Sequence, residues 1–395
     1  MLNMKTNKLV VLNYLMFILS PLLSLPLILY NIYNRKNKTS SLFLLASFFG
    51  VVSYLLLPNW SLDIARYYQR YEEISVMDLT LFLEFMQQTS DYLFYTIFYI
   101  FSKTTLSFQF LLLIMTTFNY FIAFNIFDII ISHIEVKSKK SYICLFLLFV
   151  ISLSFLAYIA ASRFTLAMSF FLLSIFNIFF MRKNKRGLLF AILSIFTHIS
   201  FLLIFLFIFF SFYIKKKQTF FYFFLISVFL LFVFPIEKLI TLIPLDNFTE
   251  KATIYLDLIR ESNWAAVLSH NLVLMFTFVL VLYLLNKKNT NIFEFSPLYM
   301  LFIVSILTYP FGFWTYDRFV SILKPVVILS VLIYYIKTKS DFKINSILML
   351  LTVPYTIHFI YAIYLYRVNL APCIQFKNVF LINILSSTYE LTDFL

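Results

Sequence analysis

Long apolar runs separated by short clusters of cations are the feature that most constrains this chain. Runs near or above the ~18 residues needed to cross hydrocarbon recur from one end of the sequence to the other. Only 3 glycines and 10 prolines interrupt the whole chain. Long helices are therefore favoured over a barrel, whose strands would alternate apolar and polar residues. We predict an all-α fold, a polytopic transmembrane helical bundle with about 11–12 membrane crossings.

Composition excludes several other classes of protein. Hydrophobic residues make up 62% of the 395 positions and charged residues only 12%, whereas soluble globular chains carry about 25% charged residues. The net charge is +13, but the cationic residues stand in short clusters between apolar runs rather than on a basic domain. We therefore expect no nucleic-acid partner. Cys144 and Cys373 have no metal or redox spacing, and no phosphate-binding glycine loop is present. We expect neither a metal nor a cofactor.

The cation clusters predict which side of the membrane each connection faces. Short loops rich in lysine and arginine stay in the cytoplasm. Placing all of the clusters there leaves two polar outer loops, at about 58–91 and about 235–263, and predicts interfacial helices within such loops. We treat residues 1–395 as a single integral membrane domain. The clusters are Arg35, Lys36 and Lys38; Lys137, Lys139 and Lys140; Arg182, Lys183, Lys185 and Arg186; Lys215, Lys216 and Lys217; Lys287 and Lys288; and Lys337, Lys339 and Lys343.

The interval from Gly187 to Ile214 is too short for two full crossings, each of which needs about 20 residues. One solution is a re-entrant hairpin of two short helices that turns near Thr197 and His198. The other is one long tilted helix. The hairpin keeps the lysines at 215–217 in the cytoplasm and is the interpretation we favour.

Ionisable residues that could carry chemistry collect on the predicted outer face. Arg163 opens a helix, where a guanidinium and free backbone N–H groups together attract phosphate. His198 can exchange a proton near neutral pH. Arg318 follows Asp317 between two predicted spans. The alternatives are an arginine that reaches the interface, a hydrogen-bonded structural imidazole and a structural Asp–Arg pair. His270 and His358 are predicted to be packing residues.

The start of the first outer loop combines aromatic rings with charged groups. Rings stack on sugar faces while acids and arginines bind hydroxyl groups, so this segment is a candidate sugar-binding surface. An interfacial aromatic belt explains the aromatic residues equally well. The residues concerned are Trp60, Asp63, Arg66, Tyr67, Tyr68 and Tyr71.

Three patches together resemble the EpsG-like, Wzy-type polysaccharide polymerases of bacterial membranes. The spacing and order of the patches carry the resemblance more than any single residue. The patches are Asp63-x-x-Arg66-Tyr67-Tyr68-x-x-Tyr71; the linked pair Ser162-Arg163-Phe164-Thr165-Leu166-Ala167 and Phe196-Thr197-His198-Ile199-Ser200; and Tyr316-Asp317-Arg318-Phe319.

The resemblance implies a glycosyltransferase that joins polyprenyl-pyrophosphate-linked oligosaccharide repeat units into O-antigen, capsule or exopolysaccharide. It would work in the bacterial plasma (inner) membrane, with its active face toward the periplasm or exterior. The lipid-linked oligosaccharide and membrane lipid are the implied partners, and a chain-length regulator is a further candidate. A flippase for the repeat unit and an O-antigen ligase remain open alternatives.

On this interpretation Arg163 and Arg318 bind the pyrophosphate, and His198 is a base toward the acceptor hydroxyl or orients it. Asp63 is the second candidate base. The three groups at 163, 198 and 318 would share one site beside the outer leaflet. Candidate substrate contacts are Trp60, Arg66, Tyr67, Tyr68, Tyr71, Ser200, Tyr316 and Asp317.

Overall fold

A computed structural model describes most of the chain, and every regular element in the described part is helical. The all-α prediction is confirmed for that part. The described residues are 2–56, 63–104, 106–133, 139–154, 158–159, 161–211, 264–287, 292–308, 313–338, 342–365, 367–374 and 379–386, with 219, 222 and 226. The predicted helix at about 219–234 and the outer loop at about 235–263 therefore lie almost wholly outside them.

Most of the helices follow the apolar runs of the sequence. They are α1 (Leu2–Leu19), α2 (Pro21–Tyr33), α3 (Lys38–Leu55), α4 (Asp63–Ser75), α5 (Leu79–Gln87), α6 (Tyr92–Ser102), α7 (Phe108–Ser132), α8 (Lys139–Ser152), α9 (Ser162–Ile175), α10 (Asn184–Thr197), α11 (Ser200–Ser211), α12 (Trp264–Asn286), α13 (Ile292–Thr308), α14 (Phe313–Thr338), α15 (Phe342–Leu365), α16 (Arg367–Ile374) and α17 (Leu381–Leu385). A π-helical turn, Phe176–Phe180, extends α9.

Among the described residues, 4 helical segments are long and apolar enough to cross a membrane: Lys38–Leu55, Phe108–Ser132, Ser162–Phe180 and Tyr316–Ile336. Shorter apolar helices of 10–17 residues accompany them. Length and composition thus make the chain a polytopic membrane protein. The total of about 11–12 crossings stays a prediction.

The chain divides into two compact units. The first unit comprises Met1–Leu147, Ser154–Phe201 and Ala362–Leu395, and the second comprises Leu148–Leu153 and Leu202–Tyr361. The motifs around Arg163 and His198 belong to the first unit, and the motif around Arg318 belongs to the second.

Close packing of α3 on α7 forms the frame of the first unit. A Cβ atom added at Gly50 would collide with the Thr117 side chain and lie 2.7 Å from the Leu113 carbonyl oxygen. Glycine is therefore what lets the two backbones approach. At the end of α3, Gln109 of α7 donates a hydrogen bond from Nε2 to the Tyr54 carbonyl oxygen at 3.1 Å.

Buried polar side chains fix α9 between α7 and α10. Asn119 of α7 donates to Thr165 Oγ1 at 3.2 Å and accepts from Ser169 Oγ at 2.9 Å. On the other side, Ser194 Oγ of α10 donates to the Ala167 carbonyl oxygen at 2.8 Å. Polar groups buried in an apolar bundle need such partners, so these bonds set the register of α9.

The helix that begins at Asn184 ends at Thr197, and the next begins at Ser200. His198 between them is extended, with φ −154° and ψ 113°. One continuous helix is therefore excluded, and the break falls at the predicted turning point. The hairpin itself stays a prediction.

Short helices occupy the described part of the segment predicted as the first outer loop, about 58–91, and the residues that follow it. α4, α5 and α6 bring buried aromatic rings together with the start of α7. Tyr71 Oη donates to the Leu106 carbonyl oxygen at 3.2 Å and ties α4 to the segment before α7.

One element differs from the sequence prediction. The segment Phe313–Arg318, expected to connect two spans, instead forms the first turns of α14. The helix-breaking residues Pro310 and Gly312 come before this segment, and none interrupts it. In the second unit α12, α13 and α14 pack pairwise against one another.

Candidate functional site

Asp91 joins the two motifs of the first unit. Its Oδ2 atom accepts a charge-assisted hydrogen bond from Arg163 Nη1 at 2.6 Å, and its Oδ1 atom accepts from the Ile199 backbone N–H at 3.2 Å. Asp91 precedes the first residue of α6 and is only 6% exposed. The start of α9 and the break after α10 are thereby held by one carboxylate.

The Arg163 side chain is largely surrounded by protein, but its guanidinium still has N–H donors that could bind a ligand. The plane of the Tyr67 ring lies beneath its guanidinium, with Cζ 5.7 Å from the ring centroid. Its Nε atom is buried and has no hydrogen-bond partner within the described part of the chain. A guanidinium has five N–H donors, and Asp91 binds through Nη1, so the ion pair orients the group without using all its donors.

His198 is held in a defined tautomer by its own chain. The Ser200 backbone N–H donates to His198 Nδ1 at 3.3 Å, and Ser200 Oγ lies 3.0 Å from the same nitrogen. A backbone N–H can only donate, so Nδ1 is an acceptor and the neutral imidazole carries its proton on Nε2. The rings of Phe164 and Phe201 pack against the imidazole, with Phe164 at 6.0 Å between centroids.

The first turn of α4 brings two more charged side chains near this site, Asp63 and Arg66. Asp63 is the first residue of α4 and forms an ion pair with Arg66, whose side chain is largely exposed. The Asp63 carboxylate also acts electrostatically on Arg163. It is therefore a second carboxylate in the surroundings of the guanidinium.

The three predicted sugar-binding tyrosines are placed differently from one another. Tyr67 contacts Arg163 and is buried, whereas Tyr68 is partly exposed. Tyr71 is buried among Phe98 and Phe108 and has the surroundings of a packing residue. Burial and the neighbouring Glu72 raise the pKa of Tyr71 to about 12, so its hydroxyl keeps its proton.

The remaining predicted residues lie elsewhere. Trp60 is outside the described residues. Tyr316, Asp317 and Arg318 lie in α14 of the second unit, so one site shared by Arg163, His198 and Arg318 stays a prediction. Tyr316 Oη donates to Asn271 Oδ1 at 3.0 Å.

Sequence reasoning missed two features. Asp91 was not a candidate, although an arginine at membrane depth requires a counter-charge and acids are scarce in this chain. His270 and His358 were interpreted as packing residues, whereas the structure groups both with Asp317. The members of that group are far apart in sequence, so no spacing motif could reveal them.

The sequence was compared with models of known protein families, and one of them matches most of the chain. The model of the EpsG family matches residues 57–378, which is most of the chain and includes all three motif patches. No curated protein and no solved structure matches the chain significantly. The EpsG-like family is related to the Wzy-type polymerases and supports a role in membrane polysaccharide biosynthesis. The chain belongs to the EpsG family.

Proposed function

We propose that this protein is a polymerase of lipid-linked oligosaccharide repeat units. It would transfer a growing glycan from polyprenyl pyrophosphate to a hydroxyl group on the sugar of a second lipid-linked unit. The reaction would take place at the outer leaflet of a bacterial plasma membrane. The observation that carries the proposal is the Asp91–Arg163 pair, in which one carboxylate holds a guanidinium and also binds the backbone that follows His198.

Arg163 is suited to the pyrophosphate of the donor. In the transfer, the bond from the anomeric carbon to the pyrophosphate oxygen breaks and negative charge develops on that oxygen. A guanidinium that is already oriented stabilises this charge without reorganising during the reaction. The N-terminal backbone N–H groups of α9 add to the attraction.

His198 is better suited to orient the acceptor than to deprotonate it. Because Nδ1 accepts from Ser200, the neutral imidazole offers a donor at Nε2. That donor can hold an acceptor hydroxyl by its oxygen lone pair. Of the two alternatives for His198, the geometry supports the orienting role.

The proton of the acceptor hydroxyl must leave as the new glycosidic bond forms. Asp91 accepts hydrogen bonds on both its oxygens, so it is a poor base. Asp63, which acts electrostatically on Arg163 from the start of α4 and is partly exposed, is the carboxylate proposed to take the proton. Arg66 and Tyr68 are the neighbouring groups proposed to bind sugar, and Arg318 is proposed as a second phosphate ligand.

The glycan made by cells that lack this protein tests the activity. A missing polymerase leaves surface glycan that carries single repeat units, because transport and ligation continue. Restoring the wild-type chain should restore the full length distribution. A complete loss of surface glycan of every length would instead indicate a flippase or a ligase and would refute the proposal.

The predicted orientation has its own test. In a chain with Cys144→Ser and Cys373→Ser, a Val76→Cys substitution places a thiol between α4 and α5, where Val76 is 85% exposed. A Lys140→Cys substitution places one at the start of α8. A membrane-impermeant maleimide should label position 76 in intact cells and position 140 only after permeabilisation. The reverse pattern would place the site in the cytoplasm.

A further inference from the structure

A second group of polar side chains lies in the second unit. His270 of α12, Asp317 of α14 and His358 of α15 offer one donor atom each, and these atoms lie within 4.8 Å of one another. His270 Nε2 and Asp317 Oδ1 are 2.6 Å apart, and the two imidazole rings meet edge to face at 4.8 Å between centroids. Three separate helices therefore direct ligand-type groups at one point.

The donor set is the one that zinc-class ions prefer. Two imidazole nitrogens and one carboxylate oxygen form a recurrent site for Zn²⁺ and related divalent ions, with one position left for water or substrate. Donors bound at about 2.0–2.2 Å in tetrahedral geometry lie about 3.4 Å from one another. Small side-chain rotations would bring the present atoms to that separation.

We propose that His270, Asp317 and His358 form a binding site for a zinc-class divalent metal ion. The ion would replace the hydrogen-bonding proton between His270 Nε2 and Asp317 Oδ1. The His270 imidazole would then carry its own proton on Nδ1. The ion would tie α12, α14 and α15 together inside the second unit.

A purely packed arrangement accounts poorly for these residues. His270 is 1% exposed, and its Nε2 atom lies 2.6 Å from Asp317 Oδ1, which satisfies one of its two ring nitrogens. The imidazole of His358 reaches the same point from another helix. Ionisable residues within membrane helices are costly and usually mark a functional site.

Lys324 is the nearby group that opposes metal binding. It is 1% exposed, its Nζ has no hydrogen-bond partner among the residues described, and it interacts electrostatically with Asp317. It lies two helical turns after Asp317 on the same face of α14, about 10 Å along the axis. A metal ion and an ammonium group at that range repel each other, so removing the charge should tighten metal binding by about tenfold.

The test measures bound metal in the purified full-length protein. The detergent-solubilised chain is stripped with a chelator, equilibrated with Zn²⁺, freed of excess ion and analysed by atomic emission. Co²⁺ replaces Zn²⁺ in a parallel sample, because its visible absorption reports tetrahedral nitrogen and oxygen ligands. The expected result is one ion per chain, and background metal in the wild-type protein would overturn the proposal.

Variants distinguish this site from adventitious binding. Asp317→Asn and His358→Gln should reduce bound zinc to background, whereas Asp317→Glu should retain it. His133→Gln, at the exposed end of α7, is the matched histidine control and should keep one ion per chain. Size-exclusion elution and thermal melting verify that each variant is folded.

Each outcome bears on the proposal. Zinc that persists in folded Asp317→Asn and His358→Gln, or that is lost equally from His133→Gln, would overturn it. Tighter binding in Lys324→Met supports it, and weaker binding in that variant would contradict it. Since the readout is bound metal, the result does not depend on glycosyl transfer.

Discussion

The Asp91 carboxylate and the Arg163 guanidinium meet at 2.6 Å, with the other Asp91 oxygen bound to the backbone that follows His198. This relationship connects the residue before α6, the start of α9 and the break after α10. It makes Asp91 a positioning residue whose removal should affect both stability and the proposed activity.

Replacing one partner of this ion pair should lower thermal stability more than replacing both partners. Arg163→Gln alone leaves a buried carboxylate without its counter-charge, at a cost of about 3 kcal/mol. The double variant Asp91→Asn/Arg163→Gln removes both charges and should recover most of the thermal stability. It should nevertheless remain inactive, because the group proposed to bind phosphate is gone. Thermal melting in detergent and glycan length in cells measure the two effects, and a double variant that makes long glycan would contradict the role of Arg163.

Replacement of Arg163 by Ala should abolish long glycan while the protein stays in the membrane. Arg163→Lys keeps the charge but lacks the planar guanidinium with its paired N–H donors. It should therefore restore only a small part of the glycan length. Arg70→Gln is the matched control, since Arg70 pairs with Glu73 on the surface of α4. Gel profiles of surface glycan and immunoblots of membranes give the result. Long glycan in the Ala variant, or its loss in the Arg70 control, would argue against a specific function of Arg163.

The tautomer of His198 gives a distinct prediction for its replacements. If Nε2–H orients the acceptor, His198→Gln can supply an amide donor near the same position and should retain partial polymer length. His198→Ala should retain none. A general base would make both variants equally inactive, because an amide cannot accept the proton. Quantified glycan length in the two variants, at matched protein levels, separates these roles.

The Tyr71 hydroxyl predicts a change in stability at high pH. Its pKa is raised to about 12, first by burial and then by Glu72, so the folded state holds this proton more tightly than the unfolded chain. The stabilisation is present below the ordinary tyrosine pKa of about 10 and is lost as pH rises through about 12. Tyr71→Phe removes this component, together with the bond to the Leu106 carbonyl worth about 1 kcal/mol.

Melting temperatures of the wild type and of Tyr71→Phe, followed from neutral to alkaline pH, measure that component. The difference in melting temperature between the two proteins should be constant near neutral pH. It should become smaller as the Tyr71 hydroxyl of the wild type ionises. A constant gap across the whole range would show that this tyrosine is not buried as described.

The close contact at Gly50 predicts that any larger residue at this position lowers the stability of the protein. Gly50→Ala should destabilise the protein by about 1–3 kcal/mol, because the new Cβ atom meets both Thr117 and the Leu113 carbonyl. Adding Thr117→Ala relieves the side-chain collision but not the backbone one. The double variant should therefore melt between Gly50→Ala and the wild type, and full recovery would contradict this packing.

The helices were predictable from the sequence, while their side-chain partnerships were not. Apolar runs and the polar turn at Thr197 and His198 locate the elements, since membrane helices must satisfy their own backbone. The segment Phe313–Arg318 was wrongly expected to be a connection, because its polar residues suggested a loop. Partnerships such as Asp91 with Arg163 depend on how helices pack, and one sequence carries no direct signal for that.

Reconstitution tests the central claim most directly. Purified wild-type protein in liposomes receives lipid-linked repeat units extracted from cells that lack it, and the products are separated by length. The account predicts a ladder of multiples of the repeat unit from the wild type and only single units from folded Arg163→Ala. Single units alone from folded wild-type protein, or an equal ladder from the variant, would contradict it.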